Sequence, residues 1–580
     1  MKSYKIKKLC LALGLAFAGS ASAATIDFSG TNFYMKFLDG SQRGANNGSI
    51  DTASGTDQGQ FTEFNLIFKT RISSKVEAGG RVQSRSSAAY WTEFGGFGQE
   101  NSVGANEVNH QKMMKLRGAY IELSPGYNWL SQVRIGTSDW GYFDPFTVGK
   151  IRYIDRDNYN GFYFKGPMMS GSTWEFARVS LPSYLQFNWG NGPVCCSSDS
   201  TQYNEAVYIG QFKVPLGAAK LTASYQLFND HTLGTTVNSY AGVNIKEIYK
   251  NSVLALKAEG SPADGIDLRG AYYGSTSDPA SGSVGEVWGN TPRASLSDKA
   301  LKVDADWTTP VDGLSVSGQY FNIGAGYYST TAARRESDVL LTEGSEAAWY
   351  NWGNTLWSGG ATSDYTQSAS NKNVTDNGYM DFNESPAESI VGWKGITLLG
   401  KYDYSNTPMS LEYTNVSYNN NWQGYSATGP LSNFFALNQD RKTNIFAFKL
   451  NRNLPVMGGL DANLKFKLVD DKDGVDTSIA TDDRAVKDSG LSASLGKQLT
   501  ADLHGMLTFG HYTRKLTVGA AADDNSKNIY GVKFAYNLPG FELGLLAQTI
   551  RGTGNPTGTV GAAAVDINQY RMKTFAQVNF

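Results

Sequence analysis

Seven charged side chains fall within one short stretch of the chain and could act together on a polar solute. Its carboxylates are Asp139, Asp144, Asp155 and Asp157, and its basic residues are Lys150, Arg152 and Arg156. Opposed charges at a narrow passage create a transverse field, and such linings decide which polar solutes pass. The alternative is a solvated loop with scattered ion pairs, which contribute little to stability. We predict the constriction, provided that the surrounding elements turn the stretch inward.

The four histidines give little support for catalysis. His110 and His231 fall in predicted loops, while His504 and His511 fall on one predicted strand at opposite parity. Hydrolytic sites need a histidine within hydrogen-bond reach of a serine or a carboxylate. No such grouping is apparent, and we predict that the protein is not an enzyme.

Metal and cofactor binding are not predicted either. The acidic run 470–476 lacks the regular ligand spacing and the closing glutamate of a calcium loop, so it is interpreted as a solvated loop. Cys195 and Cys196 are adjacent in a loop rich in glycine, serine and proline. The sequence leaves open whether they form a strained disulfide or stay reduced.

The elements that would position the charged stretch are strands of period two. Residues 64–73 alternate apolar and polar side chains, a tight turn follows at Ser74 and Lys75, and 76–85 continue the alternation. Successive side chains on a strand point to opposite faces, so this hairpin has one apolar and one charged face. The charged face of this hairpin is predicted to point four basic residues into a lumen, Lys69, Arg71, Arg81 and Arg85. A later strand is predicted to add Arg134.

The same hairpin unit recurs along the chain, with short turns rich in proline and glycine at one end and long polar loops at the other. The last strand, 570–580, alternates in the same way and ends on Phe580. This asymmetry is typical of transmembrane barrels. The predicted fold is all-β, an antiparallel up-and-down transmembrane β-barrel of about 22 strands, with a range of 18–24.

The start of the chain has the three parts of a secretory signal peptide. Four lysines within residues 1–8 precede an apolar run and a small-residue site, which predicts cleavage between Ala23 and Ala24. The predicted domains are therefore a signal peptide at 1–23 and a barrel at 24–580. Without the four signal lysines, 47 basic residues stand against 53 acidic ones, a net charge of −6 that does not suggest a nucleic-acid partner. The mean hydropathy of −0.35 fits a membrane protein that spans with strands, since half of each strand faces water.

Two features resemble Gram-negative outer-membrane porins of the general or alginate-export-like type. One is the closing strand that ends on Phe580, and the other is a strand ending in Ile135-Gly136 before a third long loop. The resemblance implies that Phe580 is an assembly signal for the barrel assembly machinery. It also implies that the third loop, at about 139–158, folds into the barrel, and that the protein lies in the cell outer membrane among lipid and lipopolysaccharide.

We therefore expect a water-filled channel for passive diffusion of small polar solutes, anionic or oligosaccharide. Sorting charges by strand face puts fourteen basic and seven acidic residues, Asp502 among them, toward the lumen, which predicts a preference for anions. Two alternatives remain. One is a sheath barrel around a multihaem cytochrome, and the other is a TonB-dependent-type receptor barrel lacking a plug, since strands are expected from about residue 26. The permeant and any homo-oligomer are not determined by the sequence.

Overall fold

The computed structural model describes residues 25–43, 58–86, 112–138, 140–144, 146–148, 160–181, 205–230, 238–240, 243–245, 250–278, 296–324, 327, 329, 393–418, 442–456, 459–472, 484–554, 561 and 563–580. The predicted signal peptide with its cleavage point at Ala23 and Ala24 lies outside these residues, as do Cys195 and Cys196.

Strands make up nearly all of the described chain. In order they are β1 (Ile26–Asp27), β2 (Asn32–Arg43), β3 (Gln58–Ser73), β4 (Val76–Ser86), β5 (Lys112–Leu123), β6 (Gln132–Thr137), β7 (Asn160–Pro167), β8 (Thr173–Leu181), β9 (Glu205–Leu216), β10 (Ala219–Asp230), β11 (Asn238–Tyr240), β12 (Val243–Ile245), β13 (Lys250–Ala263), β14 (Ile266–Asp278), β15 (Leu296–Thr308), β16 (Leu314–Ile323), β17 (Trp393–Asp403), β18 (Pro408–Tyr418), β19 (Lys442–Leu454), β20 (Leu460–Lys472), β21 (Arg484–Gln498), β22 (Leu503–Val518), β23 (Ala521–Leu538), β24 (Phe541–Gly554) and β25 (Val565–Asn579). One 3-10 turn, Met169–Gly171, connects β7 to β8. Of the helices in the described residues, none has the length and apolar character needed to cross a membrane.

The strands close into a ring. The main sheet of the described residues contains 23 strands, one of which is the two-residue β1 that pairs with β3. The other 22 each pair antiparallel with two neighbours, and the ring closes where β25 pairs with β2, from Asn32 opposite Asn579 to Arg43 opposite Asn568. Closure removes sheet edges, so each of these 22 strands is paired on both sides. The prediction of a closed antiparallel all-β barrel is confirmed.

The reversals at one end of the barrel are tight and depend on glycine. Gly265 and Gly313 have φ angles of 73° and 74°. A Cβ at Gly265 would lie 2.7 Å from the carbonyl oxygen of Thr308, and a Cβ at Gly313 would lie 2.4 Å from that of Asp403. These glycines therefore serve both the turn and the close approach of the next strand.

The two faces of the ring differ in chemistry. One face carries large apolar side chains that remain exposed, such as Leu254, Leu301 and Leu398. The other carries charged side chains that pair across strands, such as Lys220 with Glu259. An exposed apolar face suits lipid, and a paired polar face suits a water-filled interior.

Candidate functional site

The chain that follows β6 folds against the polar face of the ring. We call its described residues, 138, 140–144 and 146–148, the inward segment. Its contacts begin on β7 and end on β13, β14 and β15, with β8, β9 and β10 between them in the ring. The segment therefore passes across the inner side of the wall and lies inside the barrel.

Aromatic contacts attach the start of the inward segment to β7. Trp140 is fully buried, and a Cβ on Gly161 would lie 2.7 Å from its ring. Tyr142 stacks on Tyr163, with the ring centroids 4.4 Å apart. Trp140 has a positive φ of 57°, a conformation that non-glycine residues hold only when surrounding contacts fix them there. The missing side chain of Gly161 is thus what admits the Trp140 ring.

Asp144 fixes the middle of the inward segment in two ways. Its Oδ1 accepts a hydrogen bond from the Phe146 N–H at 2.9 Å, which closes the local turn. Its Oδ2 lies 2.6 Å from Nζ of Lys257 on β13, and the Asp144 side chain is only 3% exposed. A carboxylate this buried requires a cationic partner, so Asp144 and Lys257 form the charged anchor of the segment.

The end of the inward segment packs on β14 and β15. The Phe146 ring stacks on Tyr273 with a centroid distance of 4.8 Å, and Nζ of Lys302 lies 4.7 Å from the same ring centroid. The Tyr327 hydroxyl donates to the Phe146 carbonyl oxygen at 2.9 Å, and the Ser329 hydroxyl donates to that of Thr147 at 2.9 Å. Residues after β16 therefore hold the segment from its other side.

The predicted constriction is described in part. Among its seven charged residues, the structure describes Asp144. The others lie outside the described residues: Asp139, Lys150, Arg152, Asp155, Arg156 and Asp157. The described residues therefore establish where Asp144 lies, and the function of the group as a constriction stays a prediction.

The predicted lumen charges share the polar face and are tied into the wall. Lys69 pairs with Glu77 at 3.3 Å, Arg71 stands opposite Glu77 on β4, and both Nε and Nη2 of Arg81 bond Oδ1 of Asn65. The side chain of Arg85 lies outside the described residues.

Arg134 is the most constrained of these basic residues. Its Nη1 lies 3.2 Å from Oε2 of Glu122, its guanidinium lies 3.7 Å from the Tyr120 ring centroid, and it donates to the Thr137 carbonyl oxygen. The Thr137 carbonyl precedes the inward segment directly. Arg134 therefore orients the chain where the segment leaves the wall.

The alternation pattern missed a buried carboxylate on β8. The Glu175 side chain is 2% exposed, accepts a hydrogen bond from Nε2 of Gln211 at 2.8 Å, and lies 2.9 Å from Nζ of Lys213. Lys165 approaches it at 3.8 Å. Each face of β8 carries both apolar and charged residues, so alternation could not indicate the direction of Glu175. Among the described residues, no group of three or more His, Cys, Asp or Glu could hold a metal ion.

A second basic group lies on β19 and β20, away from the strands that the inward segment contacts. Lys449 stands directly opposite Lys465, and Lys467 lies two residues further along the same face of β20. We call Lys449, Lys465 and Lys467 the lysine arc. Like charges directly opposite each other on a sheet are destabilising. The buried carboxylate of Glu412 on β18 stands opposite Ala447 on the same face, so the three lysines share this sector of the wall with an acidic side chain.

The comparisons with known proteins gave low similarities to this chain. No protein-family model and no curated protein matches the sequence. Among solved structures, a BenF-like porin from Pseudomonas fluorescens Pf-5 aligns over 95% of this chain and 98% of its own, at 8% identity and a TM-score of 0.34. The P pilus usher PapC translocation pore aligns over 95% and 100%, at 8% identity and a TM-score of 0.34. A mutant ferric enterobactin receptor, PfeA of Pseudomonas aeruginosa, aligns over 95% and 82%, at 11% identity and a TM-score of 0.45. All three TM-scores are below 0.5, and the barrel fold is established by the strand pairing of this chain.

Proposed function

We propose that this chain is an outer-membrane porin that lets small polar solutes, preferentially anions, diffuse through a water-filled interior. The observation that carries the proposal is the closed ring of strands with an exposed apolar face and a polar inner face. Only a closed barrel satisfies all strand hydrogen bonds within a bilayer while keeping half of its side chains in water.

The inward segment supports a narrowed passage. The inward segment is anchored on β7 and on β13 to β15. Among the described strands, β17 to β25 therefore line the part of the lumen that the segment leaves open. A barrel of this strand number encloses a lumen wider than that of smaller porins, and an inward segment reduces it. The charged residues at 139–157 would face this passage.

The lysine arc supports the preference for anions. Glu77, Glu122 and Glu175, in the sector with β3 to β15, each lie beside a basic side chain, so their charge is locally compensated. The arc places Lys449 and Lys465 in register on the wall of the other sector, with Lys467 two residues along β20. Screening acts over about 8 Å at physiological ionic strength, so the charge nearest the ion path dominates selectivity.

Planar-bilayer recordings in a KCl gradient test both statements. The unmodified protein should conduct and its zero-current potential should favour chloride, and the double variant Lys465→Gln and Lys467→Gln should shift that potential toward the cation side. Lys472→Gln is the matched control, because Lys472 lies on the opposite face of the same strand and should leave the potential unchanged.

The same recordings separate the proposal from the sheath alternative. A sheath barrel would conduct poorly and would copurify with a haem protein. Clear cation selectivity would contradict the role of the lysine arc, and absence of conductance would contradict the open channel.

A further inference from the structure

Glu175 on β8 is a buried carboxylate in the part of the wall that meets the inward segment. Register places it opposite Lys165 of β7 and opposite Gln211 of β9, so the three side chains share the polar face. Its two oxygens have separate partners, because Oε2 accepts from Nε2 of Gln211 at 2.8 Å and Oε1 accepts from Nζ of Lys213 at 2.9 Å. The carboxylate therefore has a fixed orientation.

Tyr163 links this carboxylate to the inward segment. It lies two residues before Lys165 on the same face of β7, it is 2% exposed, and its hydroxyl donates to the Glu175 carboxylate. Tyr142 stacks on its ring with a centroid distance of 4.4 Å, and Phe143 meets the ring edge-on at 6.2 Å. Tyr163 therefore contacts the segment with its ring and Glu175 with its hydroxyl.

Ion pairing alone does not account for the burial of Glu175. Glu259 on β13 also has a lysine partner, Lys220, yet its side chain is 37% exposed, whereas the Glu175 side chain is 2% exposed. Burying a carboxylate costs desolvation energy, which a charge that only balances a lysine on the wall avoids by remaining in water. The burial therefore indicates a second role, that of holding a neighbouring side chain in place.

We propose that Glu175 is a positioning residue for the inward segment. It fixes the Tyr163 hydroxyl, the hydroxyl fixes the plane of the ring, and the ring holds Tyr142 and the start of the segment against β7. The outer torsion of a tyrosine side chain is soft, so the contacts of its hydroxyl and its faces set the ring plane. This support is separate from the Asp144 anchor in the middle of the segment. The inference rests on the proposed function, because the segment narrows a passage only if the barrel is a channel.

Hydrogen–deuterium exchange of the full-length protein in detergent measures this support directly. Glu175→Gln leaves one acceptor oxygen where three donors converge, from Gln211, Lys213 and Tyr163. Tyr163→Phe removes only the hydroxyl and keeps the ring that stacks on Tyr142. In each variant we expect the amides of the inward segment to exchange about fivefold faster, the factor for one lost hydrogen bond. The amides that pair β8 with β9 should keep their wild-type rates.

The double variant separates one shared link from two independent effects. If Glu175 acts through Tyr163, Glu175→Gln combined with Tyr163→Phe should exchange no faster than the faster single variant, because both changes break the same contact. Glu259→Gln is the matched control. It removes the charge of another lysine-paired carboxylate on the polar face, and the exchange of the segment should stay unchanged.

Unchanged exchange of the inward segment in Tyr163→Phe, or a double variant whose effects multiply, would overturn the inference. Equally faster exchange throughout β8 and β9 would also overturn it, since Glu175 would then only stabilise the wall. If Glu175→Gln gives no folded protein, Tyr163→Phe alone decides. Bilayer conductance of the same samples keeps the two proposals apart: a conducting protein with unchanged exchange refutes the positioning role alone, and faster exchange without conductance refutes the channel alone.

Discussion

At the scale of single residues, the site depends on one buried carboxylate whose partner is remote in sequence. Asp144 is held by Lys257, and the separation between them spans seven strands, β7 to β13, of which β11 and β12 lie outside the ring. The same carboxylate receives the Phe146 N–H. Losing it removes an ion pair and a turn-closing hydrogen bond together.

Asp144→Ala should therefore loosen the inward segment. Lost hydrogen bonds to a charged group cost about 1.5–3 kcal/mol each, enough to populate detached arrangements of the segment. Single-channel recordings should show a larger mean conductance with more frequent fluctuations. Asp267→Ala is the control, because Asp267 is an exposed carboxylate of β14 that accepts a hydrogen bond from the Ser261 hydroxyl. An identical trace for Asp144→Ala and wild type would refute the anchoring role.

Gly161→Ala should disturb the other anchor. The new Cβ would lie 2.3 Å from the Arg178 carbonyl oxygen and 2.7 Å from the Trp140 ring, so both the strand pairing and the tryptophan must shift. Overpacking of this kind costs about 1–3 kcal/mol. The yield of heat-modifiable, folded protein should fall, whereas Gly210→Ala, which meets no atom within 4 Å, should keep the normal yield.

At the scale of elements, alternation in the sequence predicted the strands well, because successive side chains of a strand point to opposite faces. The predicted turn at Ser74 and Lys75 joins β3 to β4, and Lys69 and Arg134 each pair with a carboxylate of a neighbouring strand. Asp502 was placed on the lumenal wall but lies in the turn before β22. The start of β22 depends on a local hydrogen bond in the turn, from the Leu503 N–H to the Thr500 hydroxyl. The periodicity of the sequence does not indicate such hydrogen bonds.

Contacts between elements were beyond the sequence. The pairing of Glu175 with Lys213 depends on the register of β8 against β9, and the stacking of Phe146 on Tyr273 depends on the path of a segment that crosses the barrel. Neither follows from spacing within one strand.

Deleting residues 140–156 tests the inward segment as a unit. Removing these residues takes away the aromatic contacts with Tyr163 and Tyr273 and the ion pair with Lys257, so the lumen should widen. We expect a higher single-channel conductance with the strand pairing intact. Deleting 420–436, a stretch of equal length from another loop, is the control; equal conductance in both deletions and wild type would mean that the segment does not limit flow.

At the scale of the whole molecule, the two ends of the chain complete the barrel together. β25 pairs with both β24 and β2, and the Phe580 N–H donates to the Thr31 carbonyl oxygen at 2.9 Å. Phe580 is 67% exposed, so it contributes little packing to the finished barrel. The role of Phe580 as an assembly signal stays a prediction.

Three variants separate these two roles of Phe580. Deleting Phe580 removes the backbone bond and the ring, Phe580→Ala removes the ring alone, and Phe580→Tyr keeps both. If the ring is the assembly signal, deletion and Phe580→Ala should lower the outer-membrane yield severalfold, while Phe580→Tyr should keep it, as measured by heat-modifiable band shift in membrane fractions. Full yield from Phe580→Ala, together with loss on deletion, would instead assign the role to the bond with Thr31, since one net backbone hydrogen bond contributes about 0.5–1.5 kcal/mol to closure.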